Sequence, residues 1–246
     1  AIDVDLLREL HRALERFPDR STYRVLHPDL KGYWMFFGRV DVGEEFFFHA
    51  PVPRGATADT FDFAGLLHRA AGFPFALEID HVGFWDLRVQ VATRYRAGRA
   101  FIAGDAAHQM PPFAAQGMCA GIRDASNLAW KLGSVIRGEA GDSLLDSYQA
   151  ERAPHVRAVI ENAIAIGRII CLQDPHAAAA RNAEMRARHA SGEPVVSNAY
   201  PPLSGGCLAA TNRSGELFPQ LWINGSRMDD VLERQFWLIG RDLPAT

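Results

Sequence analysis

The sequence predicts an α/β chain, of α+β character over this length, with an antiparallel or mixed sheet followed by long helices. Three observations carry that expectation. Between Ser21 and Pro51 the runs STYRVLH, GYWMFFGRV and EEFFFHAPV are β-branched and aromatic, and turn residues at His27-Pro28-Asp29 and Asp41-Val42-Gly43 separate them. A short apolar run, RAFIAGD at 99–105, ends in Gly104-Asp105. Beyond it, Met118, Ile122, Ala125, Ala129, Leu132 and Ile136 recur at spacings of four and three, which puts them on one helical face.

Taken in order, Leu6, Leu7, Leu10 and Leu14 sit at helical spacing, and Pro18 limits that first helix. Three strands of an antiparallel sheet follow. A helix is expected from about Thr60 to Ala71, then a long strand-like stretch, ALEIDHVGFWDLRVQVA. The 99–105 run reads as a short buried strand, and the helix after the prolines should bury its apolar face. A second helix opens near Asp142 or Ser143, both good N-caps. Pro154 should kink or restart it, and Val156, Val159, Ile160, Ala163, Ile166 and Ile170 mark its buried stripe. Residues 191–217 are rich in Pro, Gly, Ser and Asn and read as a linker. From 218 onward the pattern suggests a strand, an Asn224-Gly225 turn, a short helix and a strand, too few residues for an independent core. The expected division is therefore 1–97, 98–190, a linker at 191–217, and a C-terminal piece at 218–246.

Composition removes several function classes. With 26 basic and 29 acidic side chains and no long run of either sign, neither a nucleic-acid surface nor an acidic-membrane surface is suggested. No apolar run approaches the roughly 20 residues needed to cross a bilayer, and the first residues do not form a signal peptide, so a cytoplasmic protein is expected. Cys119, Cys171 and Cys207 are far apart and fit no metal-ligand spacing, so they read as free thiols and no metal is expected.

The informative segment is GRAFIAGDAAHQMPPFAAQGMCAGIRDASNLAWKL, residues 98–132. A carboxylate at the carboxyl end of a strand, such as Asp105, accepts hydrogen bonds from hydroxyls, and ligands of open α/β sheets bind at such ends. Gly117 and Gly121 remove side chains where a helix begins, so something large and flat can approach the backbone. The free N–H groups and positive dipole end of that helix favour a ligand that carries or develops negative charge. A sugar-alcohol chain leading to an electron-accepting ring suits both halves.

On GRAFIAGDAAH, the Pro111-Pro112 pair, QGM and GIRDASNLAWKL, the segment resembles the second flavin motif of the class A flavoprotein monooxygenases. These are the para-hydroxybenzoate and phenol hydroxylase group, and the resemblance is strongest to its hydroxyphenylpropionate and polyketide hydroxylases. Weaker similarity extends to LHPDLKGYW, SYQAERAPH and LFPQLWING. The resemblance implies the last strand and helices of a Rossmann-like FAD domain at 98–190, a substrate-binding sheet domain before it, and the start of a thioredoxin-like module at the end. It implies that Gly104 and Asp105 hold the ribityl hydroxyls of FAD and that Pro111 and Pro112 border the ring and substrate pocket. The backbone around Gly117 and Met118 would meet the pyrimidine edge, Gln116 and Cys119 join the implied cofactor-binding set, and Cys119 stands where many members carry asparagine. Trp34, Phe36 and Phe113 are its candidates for the wall of an aromatic-substrate pocket. In such enzymes NAD(P)H reduces the flavin, which then reacts with oxygen and hydroxylates an activated ring. The implied partners are a small aromatic substrate and, in some members, a second copy of the chain. The family's GxGxxG unit and its mid-chain Asp-Gly motif are absent from these 246 residues.

Plainer readings stand beside these. His108 reads as a loop or core histidine with its ring nitrogens satisfied, Cys119 as a small buried side chain, and Arg123 and Asp124 as residues that pair locally or steady the helix start. Other functions remain open: a flavin-dependent epoxidase or ring-opening oxygenase, a metal-dependent hydrolase using Asp105 and His108, or a non-catalytic piece that binds no flavin. No general base is legible.

Overall fold

The computed structural model describes residues 22–26, 35–39, 46–192, 200–208 and 213–232. The leucine-spaced helix expected at 3–16 lies outside them, as does Trp34. Three strands, β1 (Thr22–Val25), β2 (Met35–Arg39) and β3 (Phe46–His49), form an antiparallel sheet in the order β1-β2-β3. The register places Tyr23 opposite Phe37 and Phe37 opposite Phe48.

Helix α1 (Phe63–Ala71) starts later than expected because Asp62 caps it, its carboxylate accepting from Gly65 N–H at 2.8 Å. Gly72, at φ +87°, ends it. Leu66 and Ala70 on its inner face pack with Phe48, Ala50, Val52 and Phe61, which joins the helix to the end of β3.

The long strand expected over 76–92 is reduced to β4 (Gln90–Val91), which pairs with β7 (His108–Gln109). Residues 76–89 are irregular, and Phe84, Trp85, Leu87 and Val89 are about half exposed. Their alternating pattern satisfied the strand template, but no neighbouring strand among the described residues supplies the ladder bonds. The buried strand expected at 99–105 is instead one arm of a hairpin, β5 (Arg96–Ala97) with β6 (Ala100–Phe101), its turn made possible by Gly98 at φ +58°. Ala100 is exposed and Phe101 only half buried. Every strand pair among the described residues is antiparallel, the α+β character expected of this length.

Helix α2 (Gly117–Ile136) forms where expected and buries the other face. Met118, Ile122 and Ile136 are 77%, 59% and 81% exposed, whereas Ala120, Asp124, Leu128 and Lys131 are buried. Helix α3 (Ser147–Ile170), preceded by a short 3-10 segment at Asp142–Asp146, runs continuously through Pro154. Pro154 has no N–H to offer the carbonyl of Ala150, and Gly205 passes beside that oxygen, so close that an added Cβ would lie 3.2 Å from it. Helix α4 (Pro175–Ser191) begins on Asp174, which accepts from Ala177 N–H, and ends at Gly192 in the left-handed region. At the end, β8 (Trp222–Ile223) and β9 (Ser226–Arg227) form a hairpin over Asn224-Gly225, both at positive φ, and α5 (Met228–Leu232) follows directly.

The α2–α3 seam is polar and buried. Lys131 Nζ donates to Glu151 Oε2 at 2.6 Å, Asn127 Nδ2 donates to the same oxygen at 2.7 Å, and the N–H of Cys207 reaches Glu151 Oε1 at 2.9 Å. Burial alone would raise the Glu151 carboxyl, but these donors outweigh it and hold it below its ordinary range. Deleting one partner of such a buried pair strands the other charge. Lys131→Met should therefore lower unfolding stability by about 3 kcal/mol or more in a urea titration.

His155, also in this seam, is pushed down to about 4, first by burial and then by the nearby Arg152 and Arg123 charges. Its unfolded value is 6.5, so the stabilisation is complete above that pH and is lost as pH falls from 6.5 towards about 4. Up to about 3 kcal/mol is at stake. His155→Gln should flatten stability against pH across that window in urea titrations at graded pH.

A candidate ligand cleft at the start of helix α2

The β4–β7 pairing lays the 85–88 segment alongside the turn that follows β6. Between them opens a cleft of about 900 Å³, lined by Trp85–Arg88, Gly104, Asp105, Gln109, Met110, Pro112, Ala115, Gly117, Met118 and Gly121. Asp105 lies in a 3-10 turn, Gly104–Ala106, and is exposed to the cleft. No hydrogen bond or ion pair engages its carboxylate among the described residues.

Gly104 sits at φ +58°, a conformation that glycine adopts without strain. It also faces Gly121 of α2 so closely that a Cβ on Gly121 would come within 3.3 Å of the Gly104 Cα. The two glycines thus let the turn and the helix touch backbone to backbone. Gly117 is different: a Cβ there would meet nothing within 4 Å, so its missing side chain opens space in the cleft.

Gln116 gives α2 no side-chain cap, and the first turn carries no acidic residue. The leading N–H groups and the positive end of the helix dipole are left to the cleft. Ala115, just before, is held at φ +53°, a strained conformation for a residue with a Cβ. Arg88 lines the opposite side, 3.5 Å from Asp86.

Of the residues singled out in the sequence, Gly104, Asp105, Pro112, Gly117 and Met118 meet in this cleft. Pro111 is buried. Gln116 turns to Arg123 and Tyr200, accepting from Arg123 at 3.3 Å, while Arg123 stacks 4.8 Å from the Tyr200 ring centre. Cys119 is half buried, and neither it nor Gln116 lines the cleft. Phe113 lies over Gly167 of α3, where an added Cβ would come within 2.6 Å of its ring, and it too is absent from the lining. Phe36 lies in β2 opposite Arg24 and His49.

Asp124 corrects the expectation of a local pair with Arg123. It is fully buried and accepts three hydrogen bonds: Gly104 N–H at 3.0 Å and His108 Nε2 at 2.6 Å on Oδ2, and Arg152 Nε at 2.8 Å on Oδ1. Burial would raise this carboxyl, but the His108, Arg152 and Gly104 donors together hold it below its ordinary value. His108 is therefore a core histidine, with Nε2 bonded to Asp124 and Nδ1 buried without a hydrogen-bond partner among the described residues. No group of three or more His, Cys, Asp or Glu among the described residues could hold a metal ion, and no described helix is long and apolar enough to cross a membrane.

The roles of Arg88 and Asp124 escaped the sequence reading. Asp124 carried a signal nonetheless: with Leu128 and Lys131 it repeats on one side of α2, and Glu151, Arg152 and His155 cluster on α3 with complementary charge.

The cleft wall predicts its own sensitivity. Gly121→Val should force the turn and helix apart and cost about 1–3 kcal/mol, read as a lowered thermal midpoint.

Comparison with known proteins agrees with this geometry. The FAD binding domain family matches residues 56–163. A probable NADH-specific resorcinol 4-hydroxylase of Rhodococcus jostii is 45% identical over 174 residues, covering 70% of this chain and 32% of the relative. A putative polyketide hydroxylase of Streptomyces halstedii is 46% identical over 132 residues, covering 51% and 24%. Among solved structures, aklavinone-11 hydroxylase in a ternary complex with FAD and aklavinone matches with a TM-score of 0.52 at 31% identity, covering 61% of this chain and 29% of that one. The rebeccamycin biosynthetic enzyme RebC with reduced flavin matches with a TM-score of 0.58 at 27% identity, covering 80% and 41%. The chain thus spans about a quarter to a third of these curated relatives. Its cleft and its glycine-opened helix agree with these matches: the chain is similar to the FAD binding domain family over residues 56–163, and its relatives include proteins named as aromatic and polyketide hydroxylases.

Proposed function

We propose that this chain supplies the ribityl- and ring-binding part of an FAD site in a monooxygenase that hydroxylates a small aromatic substrate, phenolic or polyketide, at the expense of NAD(P)H. One observation carries the reading: an exposed Asp105, unengaged among the described residues, and a helix start without a side-chain cap face the same cleft. The residues fit the cofactor. A carboxylate suits the ribityl hydroxyls, and the space before Gly117 admits a flat ring edge to the backbone N–H groups of Gly117 and Met118. Bound there, the flavin would supply the redox and oxygen chemistry.

The chain's own groups do the rest. Asp105 accepts from the ribityl chain and Gly104 brings it to the cleft. The α2 amino end and the Arg88 guanidinium offer positive charge to a ring that gains negative charge on reduction. Pro112 stiffens the rim beside the ring, and Pro111 anchors it from the interior. Gln116, tied to Arg123 and Tyr200, steadies the helix start that also carries Met118 and Cys119. Trp34, Phe36 and Phe113 stay proposals for the substrate side. The names of the relatives support an aromatic substrate and a nicotinamide reductant.

In the full-length protein carrying this chain, Asp105→Ala should cost about 1.5–3 kcal/mol for each charge-assisted bond lost, and so raise the FAD dissociation constant roughly tenfold or more. Flavin-fluorescence titration measures it. Unchanged affinity would remove Asp105 from the site.

A further inference from the structure

We infer that Asp124 is a positioning residue for the cofactor site: its carboxylate, through the Gly104 N–H, sets the turn that aims Asp105 into the cleft. The inference rests on the flavin reading above and adds to it a residue that touches no ligand. Asp124 lines no part of the cleft and is fully buried, yet Gly104, the neighbour of Asp105, is bonded directly to it.

The geometry allows that carboxylate little freedom. Oδ2 accepts from Gly104 N–H and His108 Nε2, and Oδ1 accepts from Arg152 Nε. The three donors belong to three different elements: the turn itself, strand β7 and helix α3. An asparagine cannot replace this acid. In either orientation its NH2 group would face a donor, at Gly104 and His108 or at Arg152, so at least one contact becomes a donor–donor repulsion in a dry interior. Gly104, already in the left-handed region, would lose the bond that holds its N–H in place.

Buried charge networks commonly contribute to stability alone, so the test must separate aim from stability. In the full-length protein, Asp124→Asn should weaken FAD binding roughly tenfold or more, comparable to the loss of a charge-assisted bond. The effect should be non-additive with Asp105→Ala: the double variant should bind FAD about as weakly as Asp105→Ala alone. The absorption spectrum of residual bound flavin should also shift. Leu128→Ala, a cavity on the same buried face of α2, should lower the thermal midpoint while leaving FAD affinity unchanged. If Asp124→Asn does not fold, Gly104→Ala takes its place, since it disturbs the turn without touching the buried charges. It should show the same weakening and the same non-additivity.

Additive effects in the cycle would overturn the inference, as would wild-type affinity in folded Asp124→Asn or Gly104→Ala, or an equal loss of affinity in Leu128→Ala. All of these leave the flavin reading standing. Wild-type protein that binds no FAD would overturn both.

Discussion

A carboxylate that no water reaches is tolerable only if donors surround it, and Asp124 has three. Because they come from the turn after β6, from β7 and from α3, one buried charge joins two pieces that line the cleft, the turn and β7, to the helix behind them. Glu151 repeats the arrangement a few residues along the same seam, gathering Asn127, Lys131 and the backbone at Cys207. The helices are packed by apolar neighbours such as Leu128, Tyr148 and Ala153. Their register and orientation are fixed by these directional bonds, which apolar contact alone does not dictate.

The cleft is complementary to that interior. Inside, Asp124 and Glu151 are each met by a cation and further donors; at the cleft, the Asp105 carboxylate meets no partner among the described residues and the helix start carries no side-chain cap. The division follows from glycine placement. Gly104 and Gly121 bring turn and helix into contact, whereas Gly117 leaves room before the backbone. Three glycines within eighteen residues thus serve two opposite ends, closeness and vacancy.

Local chemistry made much of this legible. The antiparallel strands and the Asn224-Gly225 turn follow from short-range rules, and the structure has both; the caps at Asp62 and Asp174 obey the same rules but stand apart from the helix starts that apolar spacing marks. Long-range pairing was not legible. The stretch over 76–92 alternates like a strand, but a strand needs a partner, and sequence does not supply one. Hydrophobic spacing points to the exposed face of α2, because the buried face carries Asp124 and Lys131. Asp124 and Lys131 are buried by virtue of partners on α3 and β7, and those partners are remote in sequence. Arg88 carries no local signal because it belongs to a segment without regular structure that leads into the two-residue β4–β7 pairing.

The backbone contact between Gly104 and Gly121, with the Gly104 N–H bonded to a buried acid behind it, ties the turn to the helix before any ligand is present. A receptor shaped before its guest arrives spends little conformational entropy on closing around it. Tight retention of a long, flexible ligand then depends chiefly on ordering the ligand, and mutations that loosen the glycine contact should act on how long it stays more than on how fast it arrives.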